Sequence, residues 1–355
     1  MTKEGVEAVK KGMRKSILNA VFMAVILVLT LLAVFKGEDL GKIGQCLLMA
    51  DDRWIVLAVV CVLLFILGES VVILYLLRTL RAKVRFSHCC LYSFIGFFYS
   101  CITPSASGGQ PMQVIAMRKD NISGAVSTVV LAIVTITYKL VLVVIGLAVM
   151  ILQPKDVILH LQGVEGLVYL GLALNVGCII LLLMLVFSPS LVKKCAVTVM
   201  RWIGSIRPFK HPDRIEERME KWLHQYNGTA EYFGTHKVVI FNVFVITLLQ
   251  RLFLFLVTWF TYQAFGLSGD SLFTVVTLQA MISVVVDMLP VPGGMGVSEN
   301  LFMQIFLPIF GSTLVLPGLV ISRGISYYTQ LALSGVMTLV ASFVLRTTNE
   351  KENAG

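Results

Sequence analysis

The sequence predicts an all-α polytopic membrane protein, and two observations lead to this fold class. Hydrophobic residues make up 57% of the 355 residues and charged residues only 14%, with a mean hydropathy of +0.87, whereas soluble domains carry about 25% charged residues. Long apolar runs also recur along the whole chain, which excludes a single anchor on a soluble domain. We therefore expect one membrane domain over residues 1–355.

Six apolar stretches are long enough to cross a hydrocarbon core of about 30 Å. The first follows a basic segment, as in a signal peptide, but it is longer than the about 7–15 apolar residues of such a signal, and no small-residue cleavage site follows it. It is therefore predicted to remain as a transmembrane helix. The six predicted full spans are 17–35, 54–77, 124–152, 166–187, 237–265 and 314–345.

Two further apolar regions, 86–117 and 272–310, are interrupted by prolines and glycines. The first contains TPSASGGQP at 103–111 and the second contains PVPGGMGVSE at 290–299. Broken backbone at membrane depth is tolerated only where it is buried in protein or lines a wet cavity. Each region is therefore predicted to be a re-entrant helical hairpin with the breaker at its tip, although two short crossings remain an alternative for the second.

The distribution of Lys and Arg predicts the orientation. Segments on one side carry 22 of the 29 basic residues, whereas the loops on the other side carry four together with seven acidic residues. The positive-inside rule then places both termini in the cytoplasm, as in a bacterial inner-membrane protein. Because topology explains the net charge of +9, no nucleic-acid partner is expected. The basic segments are 1–16, 78–85, 118–119, 188–237 and 346–355, and the opposite loops are 36–53, 153–165 and 266–271.

Two parts of the chain share one arrangement of span, broken hairpin and span. These are residues 54–152 and residues 237–345, and the predicted orientation gives them inverted topology. Broken segments at corresponding positions of inverted repeats point to the binding site of a transporter. Between the two units, residues 188–236 form a predicted cytoplasmic linker, whose amphipathic stretch at 213–233 is expected to lie on the membrane surface.

The residue patterns do not favour an enzyme. The seven cysteines are an odd number without a Cys-x-x-Cys pair, and the five histidines are scattered. This pattern predicts neither disulfides nor a metal site, and no cofactor is expected. The loops contain no arrangement of nucleophile, base and acid that would act as a catalytic group, so a transporter is the favoured class.

Six ionisable residues interrupt the apolar segments. At mid-bilayer each costs about 2.5–3.5 kcal/mol on insertion scales, so all six are expected to face the protein interior, where three acids can pair with three bases. Glu69 and Arg251 are interpreted as such pairing residues, Arg251 with Glu69 or with Asp287. The six are Glu69, Lys139, Arg251, Asp287, Glu299 and Arg323.

A functional interpretation joins these charges to the two tips. Helices that begin at the tips direct backbone N–H groups and the positive ends of their dipoles inward. Lys139 and Arg323 add full positive charge, so the sequence predicts an anion site, and a lipid phosphate is the available anion. The acidic residues would receive a cationic headgroup or balance the bases. The structural alternative is that all of these charges are counter-ions.

At these motifs the sequence resembles the transmembrane region of the lysylphosphatidylglycerol synthase family, the flippase-like membrane proteins. The resemblance rests on TPSASGGQP and on LPVPGGMGVSEN at 289–300. Bifunctional family members transfer lysine to phosphatidylglycerol with a C-terminal domain and then move the product to the outer leaflet. Because the chain ends at Gly355, the resemblance implies the transport part alone. It carries over to the tip residues Pro104, Gly108, Gly109, Pro290, Pro292, Gly293, Gly294, Gly296 and Glu299.

The function expected from residues and resemblance together is a lipid flippase. Its expected substrate is phosphatidylglycerol or an aminoacyl derivative, with a role in resistance to cationic peptides. The alternatives are a membrane-embedded transferase on a lipid-linked substrate and a scaffold for a separate lipid-modifying synthase. A homo-oligomer also remains open. The complete candidate site comprises Pro104, Ser105, Ser107, Gly108, Gly109, Lys139, Asp287, Pro290, Pro292, Gly293, Gly294, Gly296, Glu299 and Arg323.

Overall fold

The described part of the protein is helical. The structure is a computed structural model that describes residues 45, 48–103, 106–194, 197–198, 212–289, 291 and 294–352. Within these residues there are helices and turns and no β-strand. The predicted first span at 17–35 lies outside the described residues. In chain order the helices are α1 (Asp52–Thr79), α2 (Phe86–Cys101), α3 (Gly109–Lys119), α4 (Gly124–Leu152), α5 (Lys155–His160), α6 (Glu165–Phe187), α7 (Pro212–Thr235), α8 (Lys237–Ala264), α9 (Leu272–Val286), α10 (Val297–Arg323), a π-helix (Gly324–Thr329) and α11 (Gln330–Glu352).

Five helical stretches of the described chain are long and apolar enough to cross a membrane. They are α1, α4, α6, α8 and the run from Val297 to Ala341. The ends of α1 show why it forms where it does: the Asp51 carboxylate accepts the Arg53 N–H at 2.9 Å, and Arg78 lies in the last turn, so each charge suits its end of the helix dipole. The predicted all-α polytopic fold is confirmed, while the number of crossings stays a prediction.

The first interrupted region folds as two short helices around a tip whose described residues are 102, 103 and 106–108. Helices α2 and α3 contain 16 and 11 residues, fewer than the about 20 of a full span. A Cβ added at Gly109 would lie 2.7 Å from the Gly96 carbonyl oxygen. Glycine at 109 therefore allows the backbone of α3 to approach that of α2 closely, as the chain turns back on itself.

The second interrupted region has the same form. Helix α9 contains 15 residues and is followed by a tip whose described residues are 287–289, 291 and 294–296. Helix α10 then begins at Val297 but is broken at Gly311, where φ is 72° and ψ is 164°. The first part of α10 therefore ends at this break. The predicted span 314–345 is helical but contains the π-helix, which sequence reasoning did not anticipate.

The amphipathic linker helix packs on protein. Leu223, Tyr226 and Phe233 of α7 are buried, and the Tyr226 hydroxyl donates to the Leu185 carbonyl at 3.3 Å. The apolar face of α7 therefore covers the adjoining ends of α4 and α6. The sequence predicted a helix lying on the membrane surface; its periodicity identified the apolar face but not what covers that face.

A small residue sets the distance between α6 and α9, and its replacement is expected to destabilise the fold. A Cβ at Gly171 would lie 2.6 Å from the Val284 carbonyl oxygen and 2.8 Å from the Val285 Cα, which are both backbone atoms. Gly171→Val should therefore force the helices apart, at about 1–3 kcal/mol. The measurement is the thermal unfolding midpoint of the detergent-purified protein.

Gly177→Val is the matched control for this prediction. Gly177 lies on the same helix and is exposed, and a Cβ added there would meet no atom within 4 Å. Its replacement should leave the midpoint unchanged. Equal midpoints for the two variants would contradict the close approach of α6 and α9.

Candidate functional site

A polar cavity lies between the two broken hairpins. Its volume is about 350 Å³, and both tips contribute to its wall through Ala106 and Gln110 on one side and Val291 and Gly294 on the other. Side chains of α1, α4, α8 and the π-helix complete the lining. The described residues of both interrupted regions therefore line one cavity, a setting in which broken backbone is tolerated at membrane depth.

Two buried cations share one carboxylate in the cavity wall. Lys139 Nζ donates to Asp287 Oδ2 at 2.6 Å, and Arg251 Nη2 lies 3.6 Å from Asp287 Oδ1. Arg251 is 2% exposed, and its guanidinium carbon lies 3.1 Å from the centroid of the Tyr138 ring. The formal charge of the three ionic groups is +1. Nε and Nη2 of Arg251 have no hydrogen-bond acceptor within the described chain, so this cluster has capacity for an anion.

The third cation is joined to the second tip. Arg323 Nε donates to Glu299 Oε1 at 2.8 Å, and Glu299 Oε2 accepts the Gly296 N–H at 2.6 Å. Gly296 has φ +86°, a conformation that glycine adopts at little cost. Glu299 therefore holds the first turn of α10 and Arg323 at the same time. The Arg323 guanidinium carbon also lies 5.1 Å from the Tyr327 ring centroid.

Glu69 has an amide partner. Its Oε1 accepts the Gln113 Nε2–H at 2.7 Å, and both residues line the cavity. Among the described residues, no Lys, Arg or His forms an ion pair with Glu69. Of the two partners predicted for Arg251, Glu69 and Asp287, the structure therefore shows Asp287.

Neutral hydrogen-bonding groups surround these charges. Thr258 Oγ1 donates to Gln279 Oε1 at 2.9 Å and lies 3.0 Å from Ser322 Oγ. The Gln110 side-chain amide donates to the Thr135 hydroxyl near the first tip. The Tyr327 hydroxyl donates to the Cys101 carbonyl at 3.0 Å, which ties the π-helix to the end of α2.

Both half-helices begin at the cavity. Gln110 lies in the first turn of α3 and Ser298 in the first turn of α10, and both side chains line the cavity. The first N–H groups of a helix lack intrahelical partners and carry partial positive charge. The Gly108 N–H is used locally, since it donates to Thr103 Oγ1 at 2.8 Å. The arrangement thus adds helix ends to the charge of the Lys139 and Arg251 cluster.

The structure brings four of the candidate residues to the wall of the cavity. Lys139, Asp287, Gly294 and Arg323 line the cavity with Glu69 and Arg251, while Glu299 contacts Arg323 and Gly296 from behind. Ser107, Gly108 and Gly109 lie at the first tip and the start of α3. The remaining candidates lie outside the described residues, namely Pro104, Ser105, Pro290, Pro292 and Gly293.

Sequence reasoning missed the neutral members of the site. The Arg251 guanidinium lies over the Tyr138 ring, and the Gln113 side-chain amide donates a hydrogen bond to Glu69. Gln110 and Gln113 are three residues apart and therefore share one face of α3, a signal that was present in the sequence. In the described part of the chain, no three His, Cys, Asp or Glu side chains come together as a metal site.

The long apolar helices and the polar cavity between them define a membrane-embedded protein of the polytopic helical class. A family model described as the lysylphosphatidylglycerol synthase TM region matches residues 17–334, and the chain belongs to this family. Membership of this family indicates a membrane protein involved in lipid handling. A search of curated proteins found no match to the chain.

Proposed function

We propose that the protein is a flippase that moves a phospholipid with an anionic phosphate, with phosphatidylglycerol or its aminoacyl derivative as the best candidates, between the leaflets of a bacterial inner membrane. The observation that carries the proposal is the polar cavity in which Lys139 and Arg251 share the single carboxylate of Asp287. Such a site can replace the hydration of a phosphate inside the membrane. Relief of cationic peptide stress is the physiological role that would follow.

The outer surface supports a lipid substrate as well. Leu170, Leu174 and Ile180 of α6 point outward and are exposed, as expected of side chains against acyl chains. A headgroup could cross through the cavity while its tails remain beside such helices. This arrangement supports a flippase, because the described lining combines cations and neutral hydrogen-bond donors that can bind a phosphate.

The proposal is tested by transport in proteoliposomes. Phosphatidylglycerol with an NBD-labelled short acyl chain is incorporated, and the fraction of label accessible to external dithionite is followed with time. The protein should make the inner-leaflet label accessible several times faster than in protein-free liposomes. No acceleration of this lipid or of its lysyl derivative would favour a transferase or a scaffold for a separate synthase.

A further inference from the structure

The ionic groups of the cavity balance one another before any lipid is bound. The cavity contains three cations, Lys139, Arg251 and Arg323. Their charge is balanced by Asp287 and Glu299, which form ion pairs with them. The third carboxylate is that of Glu69. With all six ionised, the sum of the formal charges of these described residues is zero. A phosphodiester would add one negative charge to a cavity whose cations and carboxylates are largely buried, and a net charge is costly to hold away from water.

Glu69 is the residue of this set that can compensate the added negative charge, by becoming protonated. Asp287 and Glu299 each contact cations, and Glu299 also accepts the Gly296 N–H. Protonation of either would break an ion pair. Glu69 instead has a neutral amide donor on Oε1, and it is only partly buried because it faces the cavity. A proton on Glu69 therefore breaks no ion pair of the described chain and keeps the Gln113 hydrogen bond on the carbonyl oxygen.

We infer that Glu69 takes up one proton each time a phosphodiester anion occupies the cavity, so that lipid movement is coupled to proton movement. This inference rests on the proposed function, since it assigns the coupling ion of the same site. The step is an acid–base reaction: the Glu69 carboxylate gains a proton from water as the anion enters, and it returns the proton when the anion leaves. The occupied cavity then has the same net charge as the empty one.

Other titratable groups face the same space and are part of the argument. The tyrosines and the cysteine would have to lose a proton to change charge, which adds negative charge and cannot compensate a phosphate. The cations already carry their positive charge. Glu69 is therefore the group whose protonation balances the anion. These neighbours are Cys101 of α2, Tyr138 and Lys139 of α4, Arg251 of α8, Arg323 of α10 and Tyr327 of the π-helix.

The experiment compares two lipids in proteoliposomes at several pH values, with transfer followed by albumin extraction of C6-NBD lipids. C6-NBD-phosphatidylglycerol carries a net charge of −1, whereas C6-NBD-phosphatidylethanolamine carries its own ammonium and needs no proton. Transfer of the first should rise as pH falls, by up to about tenfold per pH unit, the dependence of one bound proton. Transfer of the second should be independent of pH.

Glu69→Gln keeps an acceptor for Gln113 but holds no ionisable proton. Its transfer of C6-NBD-phosphatidylglycerol should proceed at the acid rate of the wild type at every pH. Glu217→Gln is the control, because Glu217 pairs with Lys221 in an exposed contact on α7, outside the cavity. This control should keep the full pH dependence.

A second measurement does not depend on transport. Dioctanoyl-phosphatidylglycerol added to the purified protein in weakly buffered solution should cause uptake of about one proton per bound lipid, a linkage that is absent in Glu69→Gln. Transfer of both C6-NBD lipids without pH dependence would overturn the proton inference and leave the flippase proposal standing. Loss of C6-NBD-phosphatidylethanolamine transfer alone in Glu69→Gln would also overturn it, by assigning Glu69 to the headgroup ammonium. Absence of transfer of every lipid tested would overturn the proposed function. Absence of proton uptake on binding of dioctanoyl-phosphatidylglycerol would overturn the proton inference, whatever the outcome of the transfer experiment.

Discussion

Asp287→Asn is expected to lower the yield and the thermal unfolding midpoint more than any other single neutralisation in the cavity. The substitution removes the carboxylate that lies 2.6 Å from Lys139 Nζ and 3.6 Å from Arg251 Nη2, so two buried cations lose their counter-ion together. Removal of one partner from a buried ion pair costs about 3–5 kcal/mol. Lys139→Met should cost less, because Arg251 remains beside Asp287. Both midpoints are measured on detergent-purified protein.

The double variant Lys139→Met with Asp287→Asn separates stability from function. It removes one of the stranded cations together with the carboxylate, so part of the lost midpoint should return. Transport of labelled phosphatidylglycerol should nevertheless be absent, because the Lys139 ammonium, one of the cations that face the anion, is gone. Recovered transport in this variant would show that Lys139 serves only as a counter-ion to Asp287.

The helices could be predicted because membrane solubility leaves a strong local signal. The predicted span 124–152 has the same bounds as α4, and the predicted spans 54–77, 166–187 and 237–265 lie within one or two residues of the ends of α1, α6 and α8, since each needs an uninterrupted apolar run. The positions of both tips could also be predicted, because proline and glycine interrupt the apolar runs there. The π-helix at 324–329 could not be predicted, because GISYYT contains no residue that distinguishes it from the α-helix on either side.

The inward placement of the buried charges could be predicted, whereas their pairing could not. Insertion energies require buried charges to face inward, which is why the sequence located Lys139, Asp287 and Arg323 at the cavity. Which acid meets which base depends on distances between helices that lie far apart in sequence. Glu299 was expected to receive a headgroup or to balance a base. The structure shows in addition that Glu299 accepts a hydrogen bond from the Gly296 N–H.

Arg323→Met is expected to abolish transport and to destabilise the protein. Arg323 lines the cavity and donates from Nε to Glu299, whose second oxygen holds the Gly296 N–H at the start of α10. Loss of Arg323 leaves Glu299 as a buried carboxylate without this cation, at about 3–5 kcal/mol. Arg323→Lys keeps the charge but not the planar donor group. Arg323→Lys should therefore be more stable than Arg323→Met. It should still transport poorly if the planar guanidinium of Arg323 is needed to position the second tip.

The decisive comparison is the double variant Arg323→Met with Glu299→Gln. The glutamine oxygen can still accept the Gly296 N–H, and no carboxylate is left unpaired, so the unfolding midpoint should return towards that of the wild type. If Arg323 contributes to the anion site, transport by this well-folded variant stays absent. Glu299→Gln alone separates the contributions further, because it removes the carboxylate that pairs with Arg323 while keeping the Arg323 charge in the cavity. Transport restored in the double variant would instead make the Arg323–Glu299 pair a structural clamp on the second tip, and the Lys139 and Arg251 cluster would then be the sole positive element of the proposed anion site among the described residues.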